Sequence, residues 1–159
     1  MANQKTRPTV YDKARCARLA AVQALFQSQL TGNSLGEIQK EFQDFRFGSD
    51  DYPSIPNGTL FNSLLQEVAQ SFDEIIALLE SVLSEESKLS RQEPVIKATL
   101  FIATAELMNP ALSSAPAPVI ITEYVEITAG FSDSKQAAFI NRILDQIARK
   151  LGCSLSLSK

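Results

Sequence analysis

The residues best suited to chemistry in this chain are basic ones near its N-terminus. Residues 1–18 contain five lysines and arginines and one acid, Asp12, so they carry a net charge of +4, whereas the whole chain carries −3. The five basic residues are Lys5, Arg7, Lys13, Arg15 and Arg18. A basic segment on an acidic body is typical of contact with nucleic acid or with an acidic partner. A solvated terminus without a partner is the alternative that charge alone leaves open.

Other chemistries are disfavoured by the composition. The chain has no histidine, which excludes Ser-His and Cys-His nucleophiles and histidine-based metal sites. Cys16 and Cys153 lie far apart in the sequence and form no Cys-x-x-Cys pair, so we expect two reduced thiols. The six glycines are scattered and make no phosphate-binding loop. We therefore predict no catalytic residue, no metal site and no cofactor.

Length and hydropathy favour one globular domain. A chain of 159 residues, 45% hydrophobic and 21% charged, can bury roughly two-thirds of its unfolded surface. The longest uncharged stretch, residues 107–122, contains three prolines and is therefore not expected to span a membrane. No continuous apolar segment follows the basic N-terminus, which argues against a signal peptide. We expect a cytoplasmic protein that does not contact membranes.

Apolar periodicity predicts helices along the chain and no useful β-alternation. The fold class is therefore all-α, with about seven helices. The first helix is predicted over residues 11–30 with Gly32 as its stop, and Ser34 caps a second helix that ends at about Phe45. Residues 46–58 are predicted to form a loop, and residues 59–83 a long amphipathic segment with a bend near Ser71.

The C-terminal half shows the same kind of pattern. Ser90 and Glu93 have the spacing of a capping box ahead of Pro94, which predicts a helix to about Met108. Residues 109–118 are predicted to be a proline-punctuated linker, and residues 119–129 a helix that stops at Gly130. Asp133 or Ser134 is expected to cap the last helix, which has a strongly apolar stripe.

Three segments, in this order, resemble the NusB family of transcription antitermination factors. Residues 15–26 (RCARLAAVQALF) are similar to the family's arginine-rich opening and first helix. Residues 97–107 (KATLFIATAEL) are similar to a family segment that ends in Glu-Leu. Residues 118–145 contain EYVEITA and end in FINRILD, which is similar to the family's FVNGVLD. The resemblance covers nearly the whole chain.

This resemblance implies a fold and a function. The fold would be two small antiparallel helical bundles, with sub-bundles at about 11–83 and about 90–152 that follow a flexible basic leader over residues 1–10. The function would be to bind single-stranded boxA-type nascent RNA together with a small-subunit ribosomal protein. That assembly would join the elongating RNA polymerase complex and support ribosomal RNA transcription. The free protein is a possible homodimer. No reaction and no cofactor are implied.

The resemblance also implies RNA-contacting residues. Arg15 and Arg18 match the family's arginine-rich segment, with Lys13 as the next candidate, and Phe139 matches an aromatic near the start of the last helix. Arginines can hold phosphates bidentately, and an exposed aromatic ring can stack an unpaired base. A core position is the alternative for Phe139, because it also lies on the apolar stripe. Phe26 matches a family tyrosine, and there we favour the core.

Some positions depart from the family pattern. Lys135 replaces a small acidic or polar residue, Ala138 a basic residue and Arg142 a glycine. Lys135 and Arg142 thereby join the predicted RNA-binding residues. Ile96 stands where an acidic residue is usual, which affects the expected contact with the ribosomal protein.

These departures keep open the alternative of a protein-interaction scaffold with reduced RNA recognition. A second alternative follows from the fold, which also resembles the NusB-like RNA-binding domain of certain ribosomal-RNA cytosine methyltransferases. The absence of a glycine-rich cofactor loop argues against it.

Overall fold

The computed structural model describes residues 10–155, with side chains from Lys13 onward. Within this range the chain forms seven α-helices and no strand, so the predicted all-α class is confirmed. The helices are α1 (Val10–Thr31), α2 (Leu35–Glu41), α3 (Gly58–Gln70), α4 (Phe72–Val82), α5 (Pro94–Met108), α6 (Ala117–Phe131) and α7 (Ser134–Lys150). Lys5 and Arg7 lie outside the described residues, as does nearly all of the predicted leader.

Several helix boundaries follow the predicted local chemistry. Gly32 has a positive φ of 80° directly after α1, a conformation that glycine adopts without a steric penalty. Ser34 forms the predicted capping box with Glu37 at the start of α2. Ser71 separates α3 from α4, which confirms the predicted bend. Asp133 caps α7 by accepting a hydrogen bond from the backbone N–H of Gln136 at 2.9 Å.

Residues Phe42–Arg46 continue α2 as a π-helical turn, so this helical segment ends close to the predicted boundary at Phe45. Two predictions of local structure were wrong. Ser90 forms no capping box, because Leu89–Arg91 is a short 3₁₀ helix and Glu93 precedes α5 without a side-chain cap. Gly130 does not stop α6, which continues to Phe131, because glycine with ordinary backbone angles is tolerated in a final turn.

The core is organised around α5. This helix packs against α1, α3, α4, α6 and α7 and is buried from Ile96 to Leu107 with the single exception of Lys97. A helix that is apolar on all sides is expected at the centre of a fold. Four fully buried alanines of α1 help its backbone to approach its neighbours closely: Ala17, Ala20, Ala21 and Ala24.

One hydrophobic cluster contains residues from both halves of the chain. It joins Leu64 and Ile75 of the first half to Ile102 and Ile143 of the second. The proposed division into sub-bundles at about 11–83 and about 90–152 therefore stays a prediction. Among the described helices, none has the length and hydropathy needed to cross a membrane.

Candidate nucleic-acid interface

The predicted basic cluster begins on the first turns of α1. Lys13 is exposed, and its backbone carbonyl accepts a hydrogen bond from the N–H of Asn57 at 3.1 Å. Asn57 in turn caps α3 by accepting a hydrogen bond from Leu60 N–H at 3.0 Å. This contact ties the start of α1 to the start of α3. Lys13 therefore presents its charge to solvent from an anchored backbone.

Arg18, five residues further along α1, has a different environment. Its side chain is only 3% exposed and contacts the fully buried Glu106 of α5. Its Nε donates to Oε1 and Oε2 of Glu106 at 2.9 and 3.2 Å, and its Nη2 donates to Oε2 at 2.7 Å. A bidentate guanidinium–carboxylate pair is the strongest class of protein hydrogen bond. The guanidinium of Arg18 is thus used inside the fold.

Glu106 receives further hydrogen bonds from two hydroxyl groups. Ser113 donates to its Oε2 at 2.6 Å, and Tyr124 of α6 donates to its Oε1 at 2.8 Å. Burial raises the pKa of Tyr124 well above its usual value, and the charge of Glu106 raises it further, so Tyr124 remains a donor. Burial by itself lowers the pKa of Arg18, but the hydrogen bond and charge of Glu106 outweigh it and raise that pKa overall.

Arg15 is partly exposed to solvent and also contacts a buried carboxylate. Its side chain is 39% exposed, yet its Nε and Nη2 donate to the two carboxylate oxygens of the buried Glu123 at 2.9 and 3.0 Å. Glu123 also lies 3.6 Å from Nη1 of Arg18. Two arginines of α1 therefore balance the two buried carboxylates of α5 and α6. The exposed part of Arg15 therefore belongs to a guanidinium that is already paired with Glu123. Its contact with phosphate stays a prediction.

This buried network was not predicted from the sequence. Glu106 lies in the apolar segment of α5, and a lone carboxylate among buried residues is expected only with a partner. Arg18, a guanidinium among the alanines of α1, is the complementary signal. The burial of Arg18 argues against direct contact of its guanidinium with phosphate.

The remaining predicted residues lie on α7. Lys135 and Arg142 are exposed and seven residues apart, so two helical turns place them on the same face. Phe139 is half-buried, because part of its ring packs against the core. The guanidinium of Arg142 lies 5.5 Å from the centre of the Phe139 ring, within range of a cation–π contact. In the part of the chain that the structure describes, Lys135 and Arg142 form no ion pair.

A groove lies between α1, α6 and the start of α5. It has a volume of about 650 Å³, within the range of small-molecule sites. Its lining is mainly apolar and includes Leu19 and Phe26 of α1, Val95 of α5, and Ile127 and Phe131 of α6. Phe131 is 39% exposed, which is unusual for so large an apolar side chain.

One basic residue of the predicted site lines the groove. Arg15 lines it from α1, and Phe131 lines it from the end of α6. Lys13, Lys135 and Arg142 are not among the described residues that line it.

The structure also bears on metal binding. No group of three histidine, cysteine, aspartate or glutamate residues is placed to hold a metal ion among residues 10–155. Cys16 is buried and Cys153 half-buried, and each carries a free thiol.

The fold and the comparisons identify the class of protein. A sequence model described as the NusB family matches residues 15–149, and the chain belongs to the NusB family. The transcription antitermination protein NusB of Bartonella tribocorum is 33% identical over 156 residues, covering 95% of this chain and 99% of that protein. NusB of Sinorhizobium medicae is 33% identical over 138 residues, covering 85% of each chain.

Solved structures agree with this assignment. NusB of T. maritima superposes with a TM-score of 0.72 at 26% identity, covering 86% of this chain and 91% of that one. Antitermination factor NusB, crystallised with NusE and double-stranded RNA, superposes with a TM-score of 0.71 at 22% identity, covering 89% and 99%. At that identity the second comparison supports the fold alone. The resemblance deduced from the sequence is thereby confirmed.

Proposed function

We propose that this protein is a transcription antitermination factor that binds single-stranded boxA-type nascent RNA together with a small-subunit ribosomal protein. The assembly would join the elongating RNA polymerase complex and support ribosomal RNA transcription. Membership of the NusB family supports the antitermination role. A crystallised NusB with NusE and RNA supports a state in which RNA and a protein partner are bound together. The proposed role is non-enzymatic, requires no cofactor and is performed in the cytoplasm.

The observation that carries the RNA-binding part is the exposed basic surface on two helices. Lys13 and Arg15 lie on the first turns of α1, and Lys135 and Arg142 lie on one face of α7, with Phe139 beside Arg142. Basic side chains position a strand through its phosphates, whereas an aromatic ring can stack an unpaired base. Arg18 is not part of this surface, because Glu106 holds its guanidinium inside the fold.

The partner contacts rest on less specific features. The overall charge of −3, despite the basic N-terminus, leaves acidic surface available for a basic ribosomal protein. Ile96, at the position where an acidic contact is usual in the family, is fully buried, so the partner would have to use neighbouring groups. The homodimer of the free protein stays a prediction that sedimentation velocity would measure.

A salt titration tests the RNA-binding part. The triple variant Lys13→Ala/Lys135→Ala/Arg142→Ala removes three charges, so the slope of log affinity against log salt should become shallower by about 2 for a single strand. Lys40→Ala is the matched control, because Lys40 is an exposed lysine of α2 outside the groove. An unchanged slope in the triple variant would show that these three residues do not contact RNA phosphates.

A pull-down separates this function from the protein scaffold. The ribosomal protein should be retained by the immobilised wild-type chain and retained more strongly when boxA-like RNA is added. Retention that RNA does not change, together with no RNA shift by the complex, would favour the scaffold with reduced RNA recognition.

A further inference from the structure

We propose that the bound RNA strand follows α7 along a basic stripe formed by Lys135, Arg142 and Arg149. This inference rests on the proposed RNA-binding function and adds Arg149, which neither a motif nor the family resemblance singled out, to the RNA-contacting residues. It also assigns the strand a path, from the first turn of α7 to the last. The spacing and exposure of the three residues and the place where α7 ends in the fold support this path.

The basic residues of the stripe recur at steps of seven along α7. Seven residues make nearly two helical turns, with a drift of about 20° per step, so the three residues lie on one face within about 40° of each other. All three are exposed. From Lys135 to Arg149 the stripe is about 21 Å long, the length of about six nucleotides in a stacked strand. A single strand can therefore place a phosphate beside each of them.

The stability of the helix accounts for only one of these charges. Arg149 lies in the last turn of α7, where a positive charge interacts favourably with the helix dipole. Lys135 lies in the first turn, where the same charge is unfavourable, and Arg142 lies in the middle, where the dipole has little effect. A series of positive charges that continues regardless of the dipole is expected on a surface that meets an extended anion.

One carboxylate, that of Asp145, also lies on this helix. Its Oδ2 accepts a hydrogen bond from Nε of Arg149 at 2.9 Å, one turn away. The pair is easily opened, because Arg149 is 68% exposed and exposed ion pairs contribute little. Among the described residues, Nη1 and Nη2 of Arg149 have no hydrogen-bond partner. Arg149 can therefore present its guanidinium to a phosphate, and Asp145 is the only acid of α7.

The stripe ends at the part of the fold where α1 begins. Directly after α7, Sγ of Cys153 lies 3.9 Å from the carbonyl oxygen of Leu107, near the end of α5. Arg18 of α1 pairs with Glu106, the preceding residue of α5. The last turn of α7 and the first turns of α1 therefore lie at the same end of α5. A strand that follows the stripe arrives at the end of the fold that carries Lys13.

An RNA strand fits the stripe better than an acidic protein does. Phe139 lies between the first two stripe residues, and the guanidinium of Arg142 is 5.5 Å from the centre of its ring. A base and the phosphates next to it can therefore meet the same surface. The regular spacing also suits a polymer that carries one charge in every unit, whereas the acidic side chains of a folded protein have no such regularity.

The test combines single-residue variants with RNAs that each lack one phosphate charge. A boxA-like RNA carries one uncharged methylphosphonate at successive positions, and its affinity is measured by filter binding with the ribosomal protein at saturation. On unmodified RNA, alanine at position 135, 142 or 149 should make the salt dependence shallower by about 0.7, which corresponds to about 5-fold weaker binding at about 0.1 M salt. Each variant should lose this effect on one modified RNA. The three phosphates should follow the order of the stripe, about three nucleotides apart.

Two further variants serve as a control and as a test of gain. Lys40→Ala is the matched control, because Lys40 is an exposed residue of α2 that forms an ion pair one turn away, with Asp44. It should bind RNA like wild type. Asp145→Asn should strengthen RNA binding, since it removes the negative charge beside the stripe and releases Arg149. A purely structural role of the Asp145–Arg149 pair predicts no such gain.

The outcomes are distinguishable. Failure of the wild-type complex to bind RNA at all would overturn the proposed function. If wild type binds but Arg149→Ala leaves the salt dependence unchanged, or if the three phosphates come in another order, this inference alone is overturned. Unchanged RNA affinity of Arg149→Ala with weaker binding to RNA polymerase would also overturn it, because the stripe would then contact a protein. Circular dichroism of each variant shows whether it is folded.

Discussion

Replacing Arg18 by methionine should destabilise the fold, because the buried carboxylate of Glu106 would lose its cationic partner. Arg18→Met removes three hydrogen bonds of 2.7 to 3.2 Å from Glu106, whose side chain is fully buried. Glu106 would keep only the hydroxyl donors Ser113 and Tyr124. Breaking a buried ion pair by removal of one partner costs about 3–5 kcal/mol, because the other charge remains buried without compensation.

This loss is large compared with the stability of a typical domain, about 5–15 kcal/mol. Urea denaturation at pH 7, followed by circular dichroism, measures it. The control is Arg142→Ala, which removes an exposed arginine and should change the unfolding free energy by no more than about 0.5 kcal/mol. Any loss of RNA binding by Arg18→Met should follow the loss of folded protein.

A second variant tests the cause. Glu106→Gln keeps the shape of the side chain but carries no charge. Its amide oxygen can accept from one of the two hydroxyls, Ser113 or Tyr124, and its NH2 group can donate to the other. The double variant Arg18→Met/Glu106→Gln should therefore be more stable than Arg18→Met alone. This reasoning would be refuted if Arg18→Met lowered the free energy of unfolding by less than about 1 kcal/mol but strongly weakened RNA binding. Arg18 would then be an RNA-contacting residue.

Three further predictions concern single residues. Arg142→Ala should make the salt dependence of RNA binding shallower by about 0.7 in filter-binding titrations, and an unchanged slope would exclude a phosphate contact there. The raised pKa of Tyr52, about 12 in the fold against about 10 when unfolded, stabilises the protein below pH 10 and ceases to do so as pH rises toward 12. Denaturation between pH 8 and 12 should show a decline of about 2–3 kcal/mol that is smaller in Tyr52→Phe, and an equal decline in both proteins would contradict this assignment. Asp133→Ala should cost about 1 kcal/mol through loss of the α7 cap, measured as a lower melting temperature, whereas Asp133→Asn should largely retain it.

Much of the fold could be predicted because its signals are local. The capping box at Ser34, the stop at Gly32 and the break at Ser71 each depend on residues within one turn of the boundary. The errors arose where the surrounding fold decided between similar local options. Ser90 has the spacing of a capping box, but the segment before Pro94 turns as a 3₁₀ helix instead.

The candidate site was predictable only in part. Lys13, Lys135 and Arg142 are exposed, as an RNA contact requires, and Phe139 is half-buried. Arg15 and Arg18 were chosen for their charge, but charge does not reveal whether a side chain points to solvent or to a buried carboxylate. The two partners, Glu106 and Glu123, lie 88 and 108 residues away along the chain. Pairing over such separations depends on how the helices pack.

The sequence by itself determined the helices, the family and the basic character of the N-terminal segment, because these depend on residue type and short-range spacing. Only the tertiary structure decided which arginines remain available to a ligand. Packing α1 against α5 and α6 buries two carboxylates, and a buried carboxylate requires a compensating charge. Arg18 and most of the hydrogen-bonding capacity of Arg15 meet that requirement, so RNA recognition is expected to depend on the exposed basic residues Lys13, Lys135 and Arg142.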